Sequence, residues 1–382
     1  MKRVTVALVL LAVLTGCQTV SGWFGRGPGP AKKPAELVAF TPTAQPRVLW
    51  QANVGTADKA VFFPGVSGNA VYAAGAAGQI AGFQANSGAA LGGFAAGERL
   101  TGGIGAGATL VVAATPKGEV LAFDRGGKLR WRSEVGGEVL AAPVVDGALV
   151  IARTSDGRIF GLDANDGRRR WVYQRTTPTL AVRSYSGVVA ERGAVFAGFS
   201  GGRLVALNAG TGAVGWEAVV ALPRGTTELE RVADVTGLPV VDGRQVCAVA
   251  FQGRVACFDG QSGTALWARD LSSYAGLAAD NRNLYVTDDK NAVVAMDKTS
   301  GASLWKQDKL AGRAVTAPAA VGRYVVVGDY QGYVHFLSRD DGAFAARLAT
   351  DGSPILAPPV AVDLSTFVVQ TRNGGVYAIT LQ

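Results

Sequence analysis

The chain offers little of the chemistry that catalysis or metal binding needs. It holds one histidine and three cysteines in 382 residues, and no two cysteines are adjacent. His335 stands in Tyr333-Val334-His335-Phe336, alternating with apolar neighbours. That pattern predicts a packed strand residue. One histidine cannot build a His-rich metal site, and no Gly-x-Ser-x-Gly elbow supports a Ser-His-Asp triad. No acidic cluster with the spacing of an oxygen-ligand cation site stands out. Cys247 and Cys257 lie on the two arms of a hairpin around Gln252-Gly253. A two-residue loop would point them to opposite faces, whereas a three-residue loop with a bulge would set them opposite each other. Free, buried thiols are expected, with a disulfide as the alternative in an oxidising compartment. No cofactor, metal or catalytic residue is assigned.

Cys17 has a different setting. Lys2 and Arg3 precede the apolar run Val4–Leu14, which ends in Leu14-Thr15-Gly16-Cys17. The run is too short to span a bilayer comfortably and reads as a targeting segment, residues 1–16. The tetrad resembles the bacterial lipobox, in which the cysteine is acylated, so Cys17 is the expected lipidation site. Acyl chains on one residue suffice for anchoring, and Gln18 in place of Asp points to the outer membrane, facing the periplasm. Residues 17–46 carry Pro28, Pro30, Pro34, Pro42 and Pro46 among glycines and read as a flexible tether. Trp23 and Phe24 are placed at the lipid interface.

Composition points to an all-β chain. There are 52 glycines and two methionines, 48% of residues are hydrophobic and 17% charged. Net charge is +8, but the basic residues are scattered. Solubility and lipid proximity therefore rank ahead of nucleic acid, which is not expected as a partner. The one basic run, Arg168-Arg169-Arg170, precedes Trp171 on an expected outer strand, where charge protects an open sheet edge.

The repeat decides the fold. From Ala142 to Gln174, four β-prone runs are separated by Asp146-Gly147, Asp156-Gly157 and Asp166-Gly167. Asp-Gly between such runs is a strong hairpin signal. Four antiparallel strands in a row make one propeller blade. The third run and its turn recur as an apolar residue and Asp, then Gly, then Trp four residues later. Phe123-Asp124…Gly127…Trp131, Leu162-Asp163…Gly167…Trp171 and Phe258-Asp259…Gly263…Trp267 are clear copies. Eight copies at roughly 40-residue spacing predict an eight-bladed β-propeller over residues 47–382. The last copy stops without its fourth strand, and Arg47-Val48-Leu49-Trp50 has that character with no strands before it. The N-terminal strand is therefore expected to join the last blade and close the ring. The repeated Asp is expected to close an Asx-turn, and the Trp to pack one blade onto the next.

Two units are stretched, one through Thr176–Ser184 and one through Leu222–Asp234. Insertions on a rigid scaffold are where function usually sits. Thr227 with Glu230 fits a capping box and predicts a short helix. The insertions come from adjacent blades and offer apolar residues beside Arg183, Glu230, Arg231 and Asp234, the make-up of a polar-rimmed interface.

The repeat Ala/Gly-apolar-Asp-x-x-x-Gly-x-x-x-Trp resembles the quinoprotein-type (PQQ-like) propeller repeat. With the lipobox and the segments Pro178-Thr179-Leu180-Ala181-Val182-Arg183 and Thr227–Val235, the chain resembles the BamB family of outer-membrane protein assembly factors. The resemblance implies a non-catalytic scaffold in the β-barrel assembly machinery. Such a scaffold binds a POTRA domain of the central barrel subunit and assists insertion of nascent outer-membrane β-barrel proteins, which are possible further partners. It implies that Leu180, Val182 and Arg183 touch the partner, and that Asp234 supplies one acidic contact. Thr236 stands where the family has a second acid. The alternatives are a propeller that binds cell-wall or polysaccharide ligands, and a quinone-dependent dehydrogenase.

Overall fold

The computed structural model describes residues 33–381. Thirty-two strands, numbered in chain order, form eight four-stranded antiparallel sheets. Seven blades are consecutive: β2–β5 (65–95), β6–β9 (101–134), β10–β13 (144–174), β14–β17 (189–219), β18–β21 (240–270), β22–β25 (276–307) and β26–β29 (319–349). In the eighth, β1 (Arg47–Asn53) is the outer strand beside β32 (Gly375–Thr380), β31 (Thr366–Gln370) and β30 (Val360–Ala361). Arg47 pairs with Thr380 and Asn53 with Gly375, so the two chain ends close the ring as the repeat predicts. Cys17, Trp23 and Phe24 lie outside the described residues.

The periodicity of each blade follows its position. Middle strands such as β7 (Leu110–Ala114) are buried at every residue, because sheets cover both faces. Outer strands such as β13 (Arg169–Gln174) bury mainly the tryptophan. Arg168–Arg170 lead into this edge, where Arg170 pairs with Asp163 at 2.6 Å and Arg168 with Asp166 at 2.6 Å.

The Gly and Trp of the repeat are partners across blades. Trp131 donates its indole N–H to the Ala164 carbonyl of the following blade at 2.9 Å. A Cβ added at Gly167 would fall 2.5 Å from the Trp131 ring. Trp171 bears in the same way on Gly212, Trp216 on Gly263, Trp267 on Gly301, Trp305 on Gly342 and Trp50 on Gly88. These glycines also have φ near +70°, so both the backbone and the neighbouring indole exclude a side chain. Phe94 takes the tryptophan's place over Gly127. The repeat's Asp closes the same turn. Asp259 Oδ1 accepts the amides of Gln261 and Ser262. Hydrogen bonds from Thr299 and Ser300 hold the Asp297 carboxyl down at about 2.

Two expectations are corrected. Cys247 and Cys257 form a disulfide. Ala250 N–H bonds to the Arg254 carbonyl, leaving the three-residue loop Phe251–Gly253 that sets the cysteines directly opposite on neighbouring strands. The tether ends earlier than residue 46. Thr43 and Ala44 amides donate to the Ala345 carbonyl, and Phe40 stacks on Phe344 with ring centres 5.4 Å apart. Arg313 donates to the Ala35 carbonyl at 2.9 Å, and Arg347 to that of Val38 at 3.2 Å.

Those two arginines belong to the buried network around His335. Asp329 Oδ2 accepts from Arg313 Nη2 at 2.7 Å and meets His335 Nε2 at 2.9 Å; all three residues are buried. Arg347 Nε faces His335 Nδ1 at 3.3 Å. Arginine only donates, so Nδ1 accepts and the proton sits on Nε2. His335 is thus a neutral packed residue, as its strand pattern predicts. Burial, reinforced by the charges of Arg347 and Arg313, lowers its pKa against the pull of Asp329.

Two expected outcomes follow from this architecture. Deleting Arg47–Trp50 removes three of the six pairings to β32 and one tryptophan contact, and should lower the single melting transition by several degrees; an unchanged transition would contradict ring closure. Because His335 has a lower pKa folded than unfolded, protons favour the unfolded chain. Its contribution is complete above about pH 6.5 and is lost as pH falls through the lowered value. The wild-type melting temperature should therefore drop between pH 7.5 and 5 more steeply than that of His335→Gln, and equal slopes would contradict this.

Candidate functional site

Connections from an outer strand to the next inner strand lie on one face of the ring, beside the turns between the two middle strands of each blade. Most of these connections run to 5–11 residues. Those at 175–188 and 220–239 have 14 and 20, and they are the two stretched units of the sequence.

Asp234 ties them together. It is 3% exposed. Its Oδ2 accepts the Val182 amide of the first insertion at 2.7 Å, and its Oδ1 accepts the Gly201 amide of the adjacent turn at 3.0 Å. Its own carbonyl accepts the Phe251 amide at 2.7 Å. The sequence reading placed this carboxylate in the partner contact. The structure spends it inside the protein, where it pairs two part-buried backbone donors. Thr236, at the position of the family's second acid, is likewise buried and donates to the Tyr274 carbonyl at 2.9 Å.

The capping box forms without the helix. Glu230 accepts from the Thr226 and Thr227 amides at 2.8 and 3.1 Å, and Thr227 Oγ1 accepts the Glu230 amide at 3.2 Å. Those amides hold the Glu230 carboxyl below its usual range. The Arg231 amide reaches the Thr227 carbonyl, but no helix continues. Val232, Ala233 and Val235 turn inward instead, Val235 packing onto Gly198. Burial of this β-branched stretch overrides the local helical start.

The surface left by these internal ties is mixed. Leu180 is 41% exposed and Leu229 70%. Leu222 and Leu238 are exposed beside them, although sequence reading did not single them out. Only an accessibility contrast marks them, since leucine normally signals core. The Arg231 side chain is exposed and Val182 is half-buried. Arg183 reaches Glu138 of the neighbouring blade connection at 2.8 Å, with most of its side chain in solvent. Tyr185 donates across the ring to the Lys59 carbonyl at 3.3 Å.

Beside the first insertion the ring opens into a cavity of about 600 Å³. Its wall is mainly apolar, with Phe63, Leu238, Leu277 and Leu356, and Arg183 is its one charged side chain. Among the described residues no Asp, Glu, Asn or Gln lines it. A quinone with its calcium needs carboxylate and amide oxygens, so these residues do not fit that group.

Comparison with known proteins agrees with this geometry. Residues 34–307 and 290–382 match the family described as outer membrane protein assembly factor BamB. Residues 1–18 match the prokaryotic membrane lipoprotein lipid attachment site, which includes Cys17. Outer membrane protein assembly factor BamB of Bordetella pertussis is 42% identical, over 99% of this chain and 96% of its own. That of Nitrosomonas eutropha is 44% identical, over 91% and 85%. The crystal structure of BamB from Moraxella catarrhalis superposes with a TM-score of 0.81 at 28% identity, over 88% of this chain and all of the other. Quinohemoprotein alcohol dehydrogenase from Comamonas testosteroni, at 12% identity and a TM-score of 0.70, shares the fold. The attachment site and the family together make this a lipid-anchored outer-membrane protein. An eight-bladed ring closed by its own N-terminal strand, carrying two tied insertions on one face, the chain belongs to the BamB family of outer membrane protein assembly factors.

Proposed function

We propose that the protein is a non-catalytic scaffold whose two insertions dock a POTRA domain of the central barrel subunit, supporting insertion of nascent outer-membrane β-barrel proteins. The reading rests on the family and on one structural observation. Asp234 locks both insertions against the ring while Leu180, Leu229, Arg183 and Arg231 stay at the surface. Exposed leucines flanked by arginines have the composition of an interface core and rim.

The residues divide by role. Leu180 and Val182 supply apolar contact. Arg183 gives up an exposed pair with Glu138, worth at most about 1 kcal/mol, for a charge-assisted bond to a carboxylate of the partner. Glu230 shapes the turn that presents Leu229 and Arg231. Asp234 positions the first insertion and does not touch the partner. The docked surface is pre-formed, which reduces the ordering cost of association. Nascent barrel proteins are guests of the assembled complex in this reading, and no cofactor takes part.

Co-purification from detergent-solubilised envelopes tests it. Wild type should bring down a large β-barrel protein with periplasmic repeats, and folded Arg183→Glu should lose it through a cost of about 2–5 kcal/mol at the interface. Equal recovery with both would refute the Arg183 contact, and no barrel protein with either would refute the scaffold.

A further inference from the structure

Arg153 ends β11 (Leu149–Arg153) directly beneath the first insertion. Its Nη1 donates to Ser186 Oγ at 3.3 Å and to the Gly187 carbonyl at 3.2 Å, and the guanidinium lies over the Phe199 ring at 4.7 Å. Among the described residues it has no carboxylate partner. The neighbouring acids are already engaged: Glu138 holds Arg183, and Asp156 holds Arg158 and Thr154. Burial without a counter-charge pushes the Arg153 pKa down to about 10, still a cation at any periplasmic pH.

Arg153 lines a cavity of about 220 Å³. Arg183, Ser155, Thr177, Ser184 and Ser200 line it as well, and among the described residues no acidic one does. These four hydroxyls make no hydrogen bond among the described residues. A half-buried cation with donors that take no protein partner, beside hydroxyls that take none either, is complementary to an anion. Water satisfies such donors in the free protein, and a carboxylate satisfies them with a neutralising charge.

We infer that this cavity is a carboxylate-binding site, filled by an acidic side chain of the protein that docks on the first insertion. The inference rests on the docking reading for the source of the carboxylate, and on the cavity alone for the chemistry. Arg183 at its rim meets the same group from outside, which explains why the insertion is stacked on a second arginine.

Two measurements on the full lipidated protein in detergent separate these parts. Acetate serves as the probe in the first, against chloride at equal ionic strength. The wild-type melting temperature should rise by about 2 °C in 100 mM acetate. Arg153→Gln should show no rise, and Arg153→Lys, which keeps the charge and checks that the fold survives, should keep part of it. A wild type indifferent to acetate would overturn the site. The second measures affinity for the periplasmic repeats of the barrel subunit. Arg153→Gln should weaken it about 30-fold or more, and acetate should compete with wild-type binding. An acetate response together with unchanged affinity in Arg153→Gln would overturn the partner as the source, leaving a free small anion as the ligand. If wild type binds no repeats, the docking reading fails and the source of the carboxylate with it, while the acetate response still reports on the site.

Discussion

A tryptophan lying on a glycine of the next blade is the contact on which the ring depends. Six of the eight blade junctions use it, from Trp50 on Gly88 to Trp305 on Gly342, and Phe94 on Gly127 makes a seventh. Each indole buries a large apolar surface and also donates a hydrogen bond to a carbonyl of the turn it covers, as Trp171 does to Ala209. Removing such a ring would cost about 3–5 kcal/mol. At Asp124, Asp163, Asn208, Asp259 and Asp297 the side-chain oxygen closes the same turn, so there one short motif fixes a hairpin and the angle to its neighbour. Because seven of the eight junctions are clamped in this way, the loops rise from a rigid base.

Rigidity of the base matters because the insertions have little structure of their own. The first has no strand or helix between β13 and β14 (Val189–Glu191), and the second has one capped turn. Order comes from Asp234, a buried carboxylate whose two oxygens each take a backbone amide from a different segment. Leaving a fully buried amide unpaired costs about 1–3 kcal/mol, and these two part-buried amides less. The functional face is thus held by internal polar contacts, which frees the leucines and arginines for a partner. A second polar network, around Asp329 and His335, fastens Ala35–Ala44 to the seventh blade, although the proline content of residues 17–46 reads as a tether.

The fold was legible because it is written eight times. Alternation, Asp-Gly turns and the Trp spacing all pointed one way, and the missing fourth strand of the last copy matched the orphan Arg47–Trp50. Pairwise geometry was less legible. The Cys247–Cys257 bridge turned on whether the hairpin loop has two residues or three, which composition does not decide. The helix at Thr227–Glu230 failed because burial of Val232–Val235 outweighed a sound capping signal. Asp234 was found by resemblance, but its bonds to the Val182 and Gly201 amides were not legible, since nothing in a sequence distinguishes an acid facing solvent from one facing two amides. Arg153 was missed for the same reason: an isolated arginine at a strand end carries no mark of its lost counter-charge.

The central claim is that the docking face is built in advance and locked through Asp234. Residue-resolved hydrogen exchange on the protein, free and bound to the periplasmic repeats of the barrel subunit, tests this most directly. The account predicts slow exchange at the Val182 and Gly201 amides already in the free protein, with added protection on binding confined to residues 176–186 and 222–238. Val182 and Gly201 exchanging at the rate of an open loop before binding would contradict it.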